Sequence, residues 1–500
     1  MRVTPTSYLT RTRNLGDLRP ARPRPDALIE VAEADRILST ATFFDTVDAV
    51  ARGLGRHGLK PGARVAILSA NRWEYLAAFL GIMKAGYVAV PLNQKLARDT
   101  LTWIFSDSEV AFAFVEAQFA DMCPTTVPSI DLDRDWADFL DPGPFTAAQV
   151  TEADDALILY TSGSTSRPKG VPLSHGGHLW AIRTRLEGSP GYEEQRVIAA
   201  APLYHMNALF TALVALAAGA SFVLMNAFSA AGFVAAISRH RVSLVTSVPT
   251  MIALALRETE ALASADLSCV KVLGMGSAPT TEKLLEDARA AFPNARINLG
   301  YGTTESGPCA FGAHPDGLPK PPAALGYPLA GVDVRIAGGG DDGILELRTP
   351  AVTRGYLNLP QKTAEVIDAE GWYSTGDLVH RDENGFYFFV GRHDNMFTCG
   401  GENIYPENVE QMIEAHPMVR QSCVVPVPDD LKGFKPVAFV VRSGDVSEDE
   451  LKRFALANGP AYQHPRQIFF LEKLPLAGTN KVDRKALQRL AMAELGEAVS

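Results

Sequence analysis

The chain has 500 residues, 47% of them apolar and 21% charged, so it can bury a large core and is neither disordered nor fibrous. It carries 47 basic against 57 acidic residues, a net charge of −10, which argues against nucleic-acid backbone binding as the main role but allows a locally held anion. Cys123, Cys269, Cys309, Cys399 and Cys423 are scattered without a CxxC, which argues for free thiols in a reducing, cytoplasmic setting rather than a disulfide frame or a zinc site.

Residues 1–14 hold Arg2, Arg11 and Arg13 with no apolar run behind them, so no secretory signal is expected. Further on, apolar strands alternate with helical patterns. Strands are predicted at 65–69, 88–90, 156–160, 197–201, 221–225, 242–246, 270–275 and 295–299. Helices are predicted at 73–85, 207–218, 230–240, 250–256 and 280–291. Fully apolar strands alternating with helices predict an α/β architecture of parallel-rich sheets covered on both faces. No charge occurs between His205 and Arg239, but Gly219 and Ser221 interrupt the apolar run. That punctuation predicts a buried helix, a turn and a buried strand, with no membrane span.

The texture changes near Pro319. Short strands and many glycines over 325–390 predict a small antiparallel sheet. Within it, Gly338-Gly339-Gly340-Asp341-Asp342-Gly343 has the GxGxxG spacing, but no helix follows, so it reads as a hairpin turn. Pro406 suits a first helical turn, and Ser447-Glu448-Asp449-Glu450 is a capping box. These signals divide the chain into a large domain, 1–393, with the β-rich subdomain inside it, and a small α+β domain, 394–500.

The richest motif is Thr161-Ser162-Gly163-Ser164-Thr165-Ser166-Arg167-Pro168-Lys169-Gly170, directly after a buried strand. Small hydroxyl residues and glycine let backbone N–H groups curl around an anion, and Arg167 and Lys169 add charge. No Gly-Lys-Ser/Thr closes it, so it is not a Walker A loop. A second segment, Asn298-Leu299-Gly300-Tyr301-Gly302-Thr303-Thr304-Glu305, is a strand end opening into a polar loop, where α/β proteins bind ligands. Further polar or glycine-rich stretches are Gly276-Ser277-Ala278-Pro279, Trp372–Asp377, Gly391-Arg392-His393-Asp394, Cys399-Gly400-Gly401-Glu402 and Leu474–Lys485. On residue type alone, Glu305 reads as a loop acid, His205 as a structural histidine, and Arg484 and Lys485 as solvated. Cys399 lacks a His/Asn constellation and is not a nucleophile candidate. No GxSxG occurs, which disfavours an α/β-hydrolase.

These motifs, in this order and over nearly the whole chain, resemble the adenylate-forming enzymes: acyl- and aryl-CoA synthetases, carrier-protein adenylation domains and firefly-type luciferases. The chain departs from the pattern at Ser166, where the family has glycine, and at Asn480 before the key lysine. The resemblance implies ATP, Mg²⁺ and coenzyme A as cofactors and cosubstrates. It implies that Thr161, Ser162, Gly163, Ser164, Thr165 and Lys169 hold phosphates. Gly276, Ser277, Ala278, Tyr301, Gly302 and Thr303 would surround adenine, with Thr304 near the α-phosphate. Asp377 and Arg392 would take the ribose, and Thr161 and Glu305 the metal. Lys481 is implied as the catalytic lysine, joined by Glu305, Thr304 and a gating His205. His205, Met206, Asn207, Val248, Gly276 and Gly302 would line the acid pocket.

The resemblance also implies that the small α+β domain is mobile, with a hinge at Asp394. Gly400 and Gly401 would border the pantetheine tunnel, and Tyr462, His464, Arg466, Lys432 and Lys435 the nucleotide end of CoA. The implied reaction joins a carboxylic acid to CoA through acyl-AMP. The texture of Gly355-Tyr356-Leu357-Asn358 and Asn480-Lys481 is similar to the 4-chlorobenzoate-CoA ligase type, pointing to an aromatic acid, with a medium-chain acid next. Two rivals stay open: an adenylating enzyme that loads a carrier protein's phosphopantetheine thiol, and a regulatory protein without catalysis. The expected partners are small molecules, and a homodimer is a further expectation.

Overall fold

The computed structural model describes residues 9–32, 34–161, 167–278, 280–399, 401–429, 431–477 and 481–495. Two parallel-rich sheets form the bulk of the chain. One runs Arg296–Gly300, Val272–Gly276, Leu244–Ser247, Arg196–Ala199, Ser221–Met225, Leu28–Val31 and Arg36–Leu38. The other runs Ser129–Asp131, Val110–Val115, Arg64–Leu68, Val88–Pro91, Asp155–Thr161 and Lys169–Ser174. Each ends in one antiparallel pair, Leu28–Val31 with Arg36–Leu38 and Asp155–Thr161 with Lys169–Ser174. Both exceptions sit at sheet edges, where a short connection suffices and no crossover helix is needed.

Ser221–Met225 is buried along its whole length, with parallel neighbours on both sides. The helix Met206–Ala218 before it is buried except at Asn207, and stops at Gly219 with φ +71°. Only glycine takes that conformation without cost, so the helix–turn–strand reading of the uncharged stretch holds. Among the described residues no helix is long and apolar enough to cross a membrane.

The third sheet is antiparallel, in the order Phe311–Gly312, Ala324–Pro328, Tyr387–Arg392, Tyr373–Arg381, Asp342–Arg348 and Asp333–Ile336. The glycine run 338–343 lies in the hairpin between its last two strands. The fourth sheet pairs Glu402–Ile404, Phe397–Cys399, Gly433–Arg442 and Val419–Asp429 in antiparallel order, and Gln467–Phe470 joins Gly433–Arg442 in parallel. Pro406 opens the helix Pro406–Glu414, and the Ser447 hydroxyl accepts the Glu450 N–H at the start of Glu448–Asn458. This C-terminal sheet has its own apolar clusters around Ile404, Val424 and Val440 and around Val425, Phe439 and Leu487.

Candidate active site

A cleft of about 2550 Å³ opens where the C-terminal strand ends of the first sheet meet the antiparallel sheet and the C-terminal region. The ends of parallel strands are where backbone turns free polar groups toward a ligand. Val272–Gly276 ends in Gly276-Ser277-Ala278, and Arg296–Gly300 in Tyr301-Gly302-Thr303-Thr304-Glu305, and all of these residues line the cleft. The two turns lie close together: a Cβ on Gly276 would come within 2.9 Å of the Gly300 carbonyl oxygen. A Cβ on Gly302 would come within 2.5 Å of Gly307 and Pro308. Side chains at either position would push the turns apart.

Asp377 is buried, and its carboxylate accepts hydrogen bonds from the Tyr301 hydroxyl and, at 2.8 Å, from Arg392 Nη1. Arg392 also donates to the Thr375 carbonyl at 3.1 Å and to Asp394 Oδ2 at 3.1 Å. Burial and the Asp377 hydrogen bond raise the Tyr301 phenol well above its ordinary value, so it stays a donor. The Tyr301 ring packs edge-on against Phe311 at 5.7 Å. Glu305 accepts the Tyr356 hydroxyl at 3.0 Å, and the Lys169 ammonium lies 4.1 Å from the centre of the Tyr356 ring. Thr161 ends its strand at the cleft, with Oγ1 buried and no hydrogen-bond partner among the described residues.

Lys481 comes from the C-terminal region and lines the same cleft. Its side chain keeps access to solvent, yet surrounding protein desolvates the ammonium and lowers its pKa. The Asp377 carboxylate opposes that shift and Arg392 adds to it, so the three charges share one site. His205 caps the start of Met206–Ala218 and packs edge-on against Tyr204 at 4.4 Å. His205, Met206, Asn207 and Val248 all line the cleft.

Other expected residues lie elsewhere. Gly401, with φ +91°, stands in an open turn with no atom within 4 Å of its Cβ position. Tyr462, His464, Arg466 and Lys432 sit on the C-terminal region outside the cleft, with Arg466 Nη1 2.7 Å from His464 Nδ1. Ser162, Gly163, Ser164, Thr165, Ser166, Gly400 and Asn480 lie outside the described residues.

Arg484 corrects an expectation. It is not solvated: it donates to both oxygens of Glu410, at 2.6 and 2.8 Å, and to the Val424 carbonyl at 2.9 Å. It starts the helix Arg484–Glu494, whose first turn faces Pro406–Glu414. Tyr356 is the residue that sequence reasoning passed over, quoting it for texture without a role. Lys320 is another, a half-buried lysine donating to the Leu299 and Leu325 carbonyls at 3.0 Å each, its pKa lowered by desolvation to about 8. A tyrosine beside a glycine, or a lysine beside prolines, carries no local signal of such contacts.

Residues 19–357 match the family model described as AMP-binding enzyme, and residues 408–481 the model described as AMP-binding enzyme C-terminal domain. The chain is 32% identical to a feruloyl-CoA synthase of Amycolatopsis over 501 residues, covering 96% of this chain and 99% of that protein. It is 30% identical to a 4-coumarate–CoA ligase of Vanilla planifolia, over 89% of this chain and 87% of that one. Among solved structures, the o-succinylbenzoate CoA synthetase of Bacillus subtilis in complex with its acyl-adenylate intermediate superposes with a TM-score of 0.80 at 27% identity, covering 93% of this chain and 98% of that one.

Proposed function

The chain belongs to the AMP-binding enzyme family and is an AMP-forming acid–thiol ligase that joins a carboxylic acid to CoA through acyl-AMP, and from that premise we propose an aromatic acid as its substrate. The relatives named for feruloyl and 4-coumaroyl substrates support this class. So does the pocket wall of Met206, Asn207, Phe210 and Val248, which is largely apolar with few polar groups.

We assign the roles as follows. Tyr301 and the Gly276–Ala278 turn receive adenine, and Asp377 with Arg392 the ribose, because a buried carboxylate can accept two hydroxyl donors. Lys169 meets the phosphates, beside Thr304. Thr161 and Glu305 suit a magnesium ion, since both present oxygen and Thr161 Oγ1 is buried without a described partner. That ion would supply neutralisation of phosphate charge.

In the first half-reaction the acid's carboxylate oxygen attacks the α-phosphorus, and pyrophosphate leaves with the P–O electron pair. Lys481 lies between the attacking carboxylate and the α-phosphate and offsets the negative charge gathered there. In the second, the CoA thiolate attacks the acyl carbonyl and AMP leaves. His205 borders the carbonyl and gates the pocket.

We place the domain boundary at Asp394. Convergence of Lys481 with Asp377 and Arg392 in one cleft is the observation that carries the adenylating role. Thioester formation then requires the small domain to turn, bringing the Gly400-Gly401 loop to the cleft and Tyr462, His464, Arg466 and Lys432 to CoA.

The test is ATP–pyrophosphate exchange across a panel of aromatic and medium-chain acids, followed by turnover with CoA and with a holo carrier protein. Exchange with aromatic acids and thioester formation with CoA are expected. Turnover with carrier protein alone would overturn the CoA assignment, and exchange only with aliphatic acids the aromatic one.

A further inference from the structure

The cleft does not end at the acid pocket's aliphatic wall. Helix Met206–Ala218 presents Met206, Phe210 and Val214 to the cleft in steps of four residues, so the wall follows the helix axis. At 1.5 Å per residue it runs roughly 12 Å from Met206 to Val214. At its far end stand Thr184, Arg185, Gly188, Ser189 and Tyr192, carried by the helix His175–Glu187 and the turn after it.

Cys309 ties this end to the reaction centre. It follows Pro308, which lies against Gly302, and its Sγ is 3.9 Å from the Ala181 carbonyl, one helical turn before Arg185. The Arg185 charge is felt by the partly buried Cys309 thiol and the buried Tyr192 phenol, so the guanidinium lies toward the interior. Both of those groups are neutral: burial pushes the thiol up to about 11 and the phenol up to about 12. Among the described residues, no hydrogen bond or ion pair holds the half-buried guanidinium.

The acidic residues that line the cleft, Glu305, Asp377, Asp394, Glu407, Glu410 and Glu414 among them, belong to the nucleotide side, the C-terminal region and, for Asp287, the helix Glu282–Ala291. None belongs to the 184–214 wall. A partly buried cation without a counter-ion is costly, and an anion brought by a ligand removes that cost.

We propose that Arg185 forms a distal subsite for a second carboxylate, so that the enzyme's acid is an aromatic diacid activated at one end and held by Arg185 at the other. The proposal rests on the ligase reading above and names the substrate class within it.

The experiment measures kcat/KM for pyrophosphate exchange with benzoic acids bearing a para carboxylate on spacers of zero to three carbons. Each diacid is paired with its methyl ester. The expected result is a diacid-to-ester ratio of at least tenfold at one spacer length, falling at least tenfold in Arg185→Met. Arg185→Glu should instead favour the matching acid with a distal ammonium, a gain that misfolding cannot produce. Exchange with the esters at a ratio near one, or a ratio unmoved by Arg185→Met, overturns the distal subsite alone. No exchange with any acid of either panel overturns the ligase reading and the subsite with it.

Discussion

Tyr356 and Glu305, 51 residues apart, are joined by a 3.0 Å hydrogen bond from the tyrosine hydroxyl to Oε1. The same ring carries the Lys169 ammonium on its face at 4.1 Å. One tyrosine therefore spaces the cation proposed to meet the phosphates from the carboxylate assigned to magnesium. Its hydroxyl stays protonated, since burial and the Glu305 charge raise its pKa far above neutrality.

Tyr356→Phe keeps the ring under Lys169 and removes only the hydroxyl. Exchange activity should fall roughly tenfold, the ~1.4 kcal/mol of one hydrogen bond to a charged group. Glu305→Gln should cost more, on the order of a hundredfold. Both should need more magnesium for half-maximal exchange, Glu305→Gln the more so. A magnesium titration that leaves both midpoints at the wild-type value removes Glu305 from the metal role.

Lys481 faces Asp377 and Arg392 while Gly401 stands in an open turn, and the proposed rotation of the small domain assigns this pose to adenylation. Lys481→Ala should lower acyl-AMP formation by a factor of ~10²–10³. It should still convert supplied acyl-AMP and CoA to thioester. Asp394→Pro, which restricts φ at the proposed hinge, should keep adenylation and slow thioester formation. Single-turnover kinetics of each half-reaction decide the matter; proportional loss of both in both variants means that a single arrangement performs both steps.

Glu414 is buried where Pro406–Glu414 meets the start of Glu282–Ala291, with Thr281 bonded to it. Its Oε1 accepts from Ser422 N at 2.6 Å and Ser422 Oγ at 3.2 Å. Burial raises its pKa from 4.5 to about 8, and the nearby Glu410 charge adds to this. The folded state then binds a proton that the unfolded state has lost. The group's contribution is complete below pH 4.5 and declines as pH rises toward about 8. Glu414→Gln keeps an acceptor for Ser422 and cannot ionise. Its melting temperature should match wild type near pH 5 and exceed it by a few degrees at pH 8. Parallel Tm-versus-pH curves for the two proteins would contradict this.

Arg484 satisfies both oxygens of Glu410 and approaches Glu407, whose side chains are 13% and 3% exposed. Arg484→Ala leaves two nearly buried carboxylates without their cation and should destabilise the C-terminal region by about 3 kcal/mol. Lys485→Ala, one residue on, should cost under ~0.5 kcal/mol. Urea titration of the full chain followed at a C-terminal fluorophore separates the two; equal midpoints would refute the buried role of Arg484.

What the sequence by itself determined is local. Apolar runs marked the strands, and Gly219 ended a helix because few residues but glycine take φ +71° cheaply. The motif at Tyr301–Glu305 was legible because a strand end followed by small and polar residues is one continuous stretch of chain. What the tertiary structure alone decided is contact between distant stretches. Tyr356 meets Glu305, Arg484 finds Glu410 across 74 residues, and Asp377 lies under both Tyr301 and Arg392. Arg185 and Arg484 are the same residue type on helical patterns, and nothing within a few positions separates them. One is covered by a facing helix that brings a carboxylate; the other opens on a cleft whose wall brings none. A side chain's charge is written in the sequence, but its counter-ion is chosen by whichever element packs against it.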